Sequence, residues 1–130
     1  MKTLTCLLIL LATPLAAQDT TAGALLFAKH CASCHGTAAD GRGPMAPVLV
    51  VQPRDLRALS AENNGVFPTR RVIFRIDGRD PLVSHGSAMP VFGPFFEAGE
   101  EMVVKVETGE IVMTTQPVAD LVGYLRGVQE

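Results

Sequence analysis

Tryptophan is missing from this chain and tyrosine occurs once. Large aromatic side chains therefore contribute little bulk to whatever core the chain builds. A surplus of positive charge is missing too. Eleven Lys and Arg stand against 13 Asp and Glu, a net charge of -2 with an isoelectric point near 5.9. That balance excludes nucleic acid as a partner, and no basic cluster marks an anionic membrane surface. No apolar run reaches the roughly 20 residues that a membrane-spanning helix needs. Cysteine is scarce, with three in the chain.

The first residues have the layout of an export leader. Lys2 gives a positive start, and Leu4 to Leu11 is an apolar run broken by Thr5 and Cys6. Pro14 and the small pair Ala16-Ala17 follow. This is the pattern of a secretory signal peptide over residues 1–17. Leu15 departs from the small residue expected three positions before the cut. Cleavage after Ala17 would leave one small domain, residues 18–130, outside the cytoplasm, in a periplasmic location. A core of that size is marginal unless something adds to it, and a buried flat apolar cofactor would supply the missing bulk.

With Cys6 leaving in the leader, Cys31 and Cys34 remain. A disulfide between them would close a tiny loop and constrain the unfolded chain very little, so stability is a poor reason for the pair. Asp19, Thr20 or Thr21 can cap a helix that runs through Leu25, Leu26, Phe27 and Ala28 into Cys31, and Gly36 can stop it. The density of Gly and Pro from Gly36 to Pro53 predicts a loop. Asp55 to Ala61 reads as a short helix capped by Asp55. Thr69 caps another, with Val72, Ile73 and Ile76 on its buried face and Gly78 at its end. Arg79 to Gly99 is a second long loop. It carries Met89, Phe92, Phe95 and Phe96, too many large apolar groups for a disordered segment. Val103, Val104 and Val106, then Ile111, Val112 and Met113, flank a turn at Gly109 and predict a β-hairpin. Thr115 or Gln116 caps a last helix with Pro117 in its first turn. Its Val118, Leu121, Val122, Leu125 and Val128 recur at helical spacing.

Cys31-Ala32-Ser33-Cys34-His35 is the haem-attachment pattern C-x-x-C-H. One helical turn separates the two sulfurs, so both point to one side and each can bond one vinyl group of a haem. His35, next in sequence, can then offer a ring nitrogen to the iron. Rival readings are weaker. A thioredoxin-like pair expects a βαβ setting. A zinc site expects about four convergent ligands, and the adjacent pairs His30-Cys31 and Cys34-His35 converge on one ion with difficulty.

With that motif the chain resembles a class I cytochrome c of the small bacterial mono-haem kind. The resemblance spans about Ala22 to Gly93 and Pro117 to Gln129. It takes in Gly23 and Phe27 ahead of the motif, the Asp40-Gly41-Arg42-Gly43-Pro44 loop, Met89-Pro90 with Gly93 beyond, and Tyr124-Leu125 in the closing helix. It implies an all-α, cytochrome c-like fold with helices wrapped around one covalent haem c. The 101–115 hairpin then reads as an insertion before the last helix.

The iron's sixth ligand must come from a distant segment. Met89 lies far downstream in a loop free of helical constraint, and Pro90 stiffens it. The family places its axial methionine in such a Met-Pro context, and Met/His ligation is its usual arrangement. His85, in the same loop, is the main rival. Met45 reads as a gap filler, Met102 and Met113 as hairpin packing, and His30 as solvent-facing on the side of His35. The resemblance further implies a proline carbonyl on the second nitrogen of His35, from Pro44 or Pro47. Arg54, Arg70 and Arg71 are candidate donors to the haem propionates. Gly23 and Phe27 should meet Tyr124 and Leu125.

These residues predict a carrier of single electrons rather than a catalyst. It would have no substrate of its own and would meet redox proteins in brief contacts at the haem edge, lined by Val91 to Phe96. Membrane contact would come only through those partners. Two alternatives stay open: the cytochrome subunit of a larger dehydrogenase, docked through its hairpin, and a haem sensor or peroxidatic protein with a labile sixth ligand.

Overall fold

The computed structural model describes residues 18–81 and 87–130. The expected leader, residues 1–17, and the rival ligand His85 lie outside the described residues.

Helix α1 spans Thr20–His30. Asp19 starts it, its carboxylate accepting the N–H groups of Thr21 at 2.9 Å and Ala22 at 3.0 Å, which satisfies two of the orphan donors of a helix start. The chain turns at Cys31 and continues as α2, Ala32–His35, which Gly36 ends with φ +78°. Helix α3 spans Thr69–Asp77 and buries Val72, Ile73 and Ile76, as their spacing predicts. Gly78 ends it in the left-handed region, its N–H bonded to the Phe74 carbonyl. The cap of α3 differs from expectation. Pro68 occupies the capping position and Thr69 is already helical. The Thr69 hydroxyl is engaged elsewhere, accepting a bond from Arg126 at 2.9 Å.

Helix α4 is one turn, Gly93–Phe96, inside what the sequence predicts as loop. Pro94 suits a first helical turn because its missing N–H has no partner there anyway. Strands β1, Glu101–Lys105, and β2, Ile111–Thr115, pair antiparallel from Glu101 opposite Thr115 to Lys105 opposite Ile111. Met102, Val104, Val112 and Thr114 are buried, while Val103, Ile111 and Met113 form an exposed outer face. This is the period-2 alternation of a half-buried hairpin.

Helix α5, Gln116–Gly127, closes the domain. It packs along α1 and against α3 and the hairpin. Its Val118, Leu121 and Val122 are among the most completely buried side chains, with Ile73 of α3. Each such side chain contributes about 1.5–3 kcal/mol on burial. Phe27 and Tyr124 bring α1 and α5 together, with ring centroids 5.2 Å apart.

The predicted helix from Asp55 to Ala61 is two separate 3₁₀ turns, Leu56–Ala58 and Ala61–Asn63. The cause is a side chain from the far end of the chain. Gln129 accepts the Ser60 N–H at 2.8 Å and donates to the Leu56 carbonyl at 2.7 Å. Those two groups would bond each other in an α-helix. Asp55 still caps its turn as predicted, accepting the Arg57 N–H at 2.9 Å.

Candidate functional site

Four helices and two loops surround a cavity of about 670 Å³, within the range of about 300–1,000 Å³ typical of cofactor and small-molecule sites. Phe27 of α1, Val72 and Ile76 of α3, and Leu121 and Leu125 of α5 form apolar wall. Leu56, Leu59, Val51 and Gln52 come from the loop after α2, and Ser87, Ala88 and Met89 from the loop after α3. Cys31 and His35 line the same space.

The attachment motif is held by its own loop. The His35 carbonyl accepts the Gly41 N–H at 2.8 Å, the Cys34 carbonyl accepts Gly43 at 3.0 Å, and the Ser33 carbonyl accepts Met45 at 2.9 Å. Gly43 must be glycine for this, since a Cβ would lie 2.6 Å from the Cys34 carbonyl carbon. Both cysteines are half-buried free thiols. Burial, and secondarily the neighbouring Cys34, pushes the Cys31 thiol up to about 11, so it stays protonated at neutral pH.

The proximal hydrogen bond differs from expectation. His35 Nδ1 lies 3.0 Å from the main-chain carbonyl of Arg54, and neither Pro44 nor Pro47 supplies the partner. A carbonyl can only accept, so Nδ1 carries the proton and the lone pair is on Nε2. Burial pushes the imidazole pKa below its ordinary value, partly opposed by the bond to Arg54. A neutral ring with its lone pair on Nε2 is the form that binds a metal.

Met89 is half-buried and packs against the core. Its loop is fixed to α3 where Phe92 donates its N–H to the Ile76 carbonyl at 2.8 Å. The other methionines fall elsewhere. Met45 and Met113 are each 46% exposed, and Met102 is buried in the hairpin core. None of the three lines the cavity.

Three further expectations need correction. His30 does not face solvent; it is half-buried, with its ring edge-on to Phe96 at 5.5 Å and to Phe92 at 6.2 Å. That aromatic group forms a separate cluster, so Phe92, Phe95 and Phe96 do not line the cavity. Of the arginines, Arg54 and Arg71 reach the cavity and Arg70 does not. Arg70 pairs with Glu110 at 2.8 Å and covers the Phe74 ring. Arg75, which sequence reasoning missed, also lines the cavity and pairs with Asp80 at 2.9 Å. Its position one turn after Arg71 on α3 was the available signal.

The rival readings of the cysteines find no support. The described residues contain no βαβ unit, and among them no three His, Cys, Asp or Glu side chains are grouped to hold a metal ion.

Residues 18–106 match the family model described as Cytochrome C oxidase, cbb3-type, subunit III. The chain belongs to this family. It is a c-type cytochrome domain, and such a domain supports a haem-based electron carrier. No match is found among curated proteins or among solved structures. For this cytochrome the covalent cofactor is haem c, and the site fits it. The walls are apolar, the Cys31 thiol, a neutral imidazole and a thioether reach the cavity, and Arg54, Arg71 and Arg75 line it. Cys34 follows Cys31 by one helical turn and is not among the lining residues. Among the described residues no helix is long and apolar enough to cross a membrane.

Proposed function

We propose that this cytochrome is an exported carrier of single electrons that holds one haem. Cys31 and Cys34 form its two thioether links, His35 is the proximal ligand and Met89 the distal one. The observation that supports this assignment best is that Cys31, His35 and Met89, from α1–α2 and from the loop after α3, line one apolar cavity. The bound haem iron supplies a one-electron couple.

The chain's own residues set the conditions for that couple. The Arg54 carbonyl fixes the tautomer and orientation of His35 and raises its basicity. The soft thioether of Met89 favours the reduced metal and raises the potential. With both positions held, no site is open to substrate. Phe27, Ile76, Leu121 and Leu125 exclude water from the cavity. Residues 1–17 direct the chain out of the cytoplasm. Partners dock where Val51 and Gln52 reach the surface, beside the exposed Val48 and Val50, through a small and transient interface.

A reduced-minus-oxidised visible spectrum of the exported protein, followed by extraction with acidified organic solvent, tests this. A c-type spectrum that stays with the polypeptide is expected. A colourless protein, or pigment that leaves with the solvent, would overturn it.

The family, whose description is that of an oxidase subunit, favours a second reading, in which the cytochrome is one subunit of a larger oxidoreductase. Size-exclusion of the native extract separates the two. A lone small coloured species supports the free carrier, and co-elution with a large complex supports the subunit.

A further inference from the structure

We propose that Gln129 is a positioning residue for the proximal histidine: by stapling residues 56–60 to the end of α5 it holds the Arg54 carbonyl on His35 Nδ1. The inference rests on the reading of His35 as an iron ligand.

The Arg54 carbonyl belongs to an irregular and exposed stretch of chain. No helix or strand fixes it. An acceptor carried on such a segment would swing, and the imidazole with it, unless the segment were anchored. The anchors are visible. On one side, the Leu56 N–H donates to the Ala39 carbonyl at 2.8 Å, and Ala39 is fully buried. On the other side, three bonds converge on one half-buried amide. Gln129 Oε1 accepts the Ser60 N–H at 2.8 Å, and its Nε2 donates to the carbonyls of Leu56 and Leu125, each at 2.7 Å.

The three Gln129 bonds satisfy the acceptor oxygen and both N–H donors of its side chain. They also occupy the pair of main-chain groups whose mutual bond would wind residues 56–60 into an α-helix. Without Gln129 the same segment has a competing local solution, one in which the Leu56 carbonyl bonds the Ser60 N–H. A side chain inserted into an i→i+4 pair holds the backbone open at that point. Arg54 lies two residues upstream of the first stapled group, so a change at Leu56 is felt at its carbonyl.

A second link lies outside the amide. Arg57 bonds the Asp55 carboxylate at 3.0 and 2.7 Å and Glu130 at 2.7 Å, and the Glu130 N–H donates to the Arg57 carbonyl at 3.1 Å. These groups are more exposed, and exposed ion pairs contribute little. The half-buried amide is the stronger anchor.

The consequence concerns the iron. A well-held acceptor on Nδ1–H makes the imidazole a stronger donor and favours the oxidised metal. Loss of the staple weakens that bond, so the midpoint potential rises and the Nδ1 proton exchanges faster with solvent. The rise in potential does not follow from lower stability alone; faster exchange does, so it is read against a stability control.

The test uses the holoprotein. Gln129→Leu removes all three bonds at similar volume, and Gln129→Glu keeps the acceptor for Ser60 while losing both donors. Val112→Ala, a cavity in the hairpin core, serves as a stability control. Midpoint potential and the NMR exchange rate of the His35 Nδ1 proton in the reduced protein are measured for each. The expected order for both is wild type and Val112→Ala lowest, Gln129→Glu intermediate and Gln129→Leu highest. Equal movement in Val112→Ala, or none in Gln129→Leu, overturns the staple. If Gln129→Leu fails to fold, Gln129→Glu alone against wild type decides. A wild-type protein without covalent haem overturns the ligand assignment itself, a different outcome from a coloured protein indifferent to residue 129.

Discussion

A Cβ placed on Gly23 would fall on the main-chain carbonyl of Asp120 and within 2.9 Å of Tyr124 Cβ. Helices α1 and α5 therefore meet backbone to backbone at this point. The contact places Phe27 and Cys31 on one side of the cavity and Leu121 and Leu125 on another. Asp120 completes the junction. It is buried, and its carboxylate accepts the Asp19 N–H at 2.7 Å and the Gln116 amide at 2.6 Å.

Gly23→Ala sets two effects against each other. Alanine gains up to about 1 kcal/mol of helix propensity over glycine. Its methyl group must push two backbones apart, and overpacking of this kind costs about 1–3 kcal/mol or more. The obstacle is a main-chain carbonyl that cannot rotate away, so the clash wins. Thermal melts of the holoprotein should show a fall of roughly 5–15 °C for Gly23→Ala, and Gly23→Val should fail to accumulate.

How much of this was legible in the sequence depended on whether residue type carried the signal. Cys31, Cys34 and His35 stand out in the sequence because their spacing encodes chemistry. Met89 stands out because methionine beside proline in a Gly/Pro-rich loop has few structural uses. The hairpin followed from alternating valines around Gly109, and α5 from its apolar period. The Arg54 carbonyl was not legible, because every residue has a carbonyl and only the path of the loop selects one. Gln129 was missed for a related reason. It sits beyond the last apolar repeat of α5, and its partners are main-chain groups remote in sequence. Its side chain is also why the Asp55–Ala61 helix did not form. Asp120 was hidden in the apolar period of α5, where a carboxylate reads as a solvent-facing position.

Asp55 gives the pH dependence a definite sign. Hydrogen bonds from the Arg57 side chain, then from its backbone N–H, hold the Asp55 carboxyl below its ordinary pKa. A carboxyl whose pKa is lower in the folded state contributes stability above the ordinary aspartate value of about 3.9. That contribution is lost as pH falls through the folded value. Denaturant melts from pH 7 to pH 3 should show Asp55→Asn less stable than wild type at pH 7, with the gap narrowing below about pH 4. A gap that stays constant over this range would mean that charge on Asp55 is not the cause.

The two thiols are expected to be unequal to their joint loss. With Cys31→Ala or Cys34→Ala, one thioether still ties the pigment to the chain, and intact mass should show polypeptide plus haem. With both replaced, His35 and Met89 hold it by coordination alone. Acidified solvent protonates His35 and should then extract all the colour. Retention of colour by the double variant would exclude thioether attachment at these positions.

Met89 is the assignment on which the carrier reading turns. Replacing it with alanine removes the one thioether that lines the cavity among the described residues. The reduced Met89→Ala protein should bind carbon monoxide rapidly at neutral pH, whereas wild type should resist. Its potential should fall, because the soft sulfur that favoured the reduced iron is gone. Met89→His should close the site again and leave the potential low, which separates loss of a ligand from loss of sulfur. Met45→Ala serves as the control, since Met45 is 46% exposed and outside the cavity, and it should change neither measurement. His85→Ala tests the rival in the same loop and should likewise leave carbon monoxide binding slow. Fast binding in His85→Ala with slow binding in Met89→Ala would reverse the assignment. Fast binding in wild type would replace the carrier with a protein that keeps a labile sixth position.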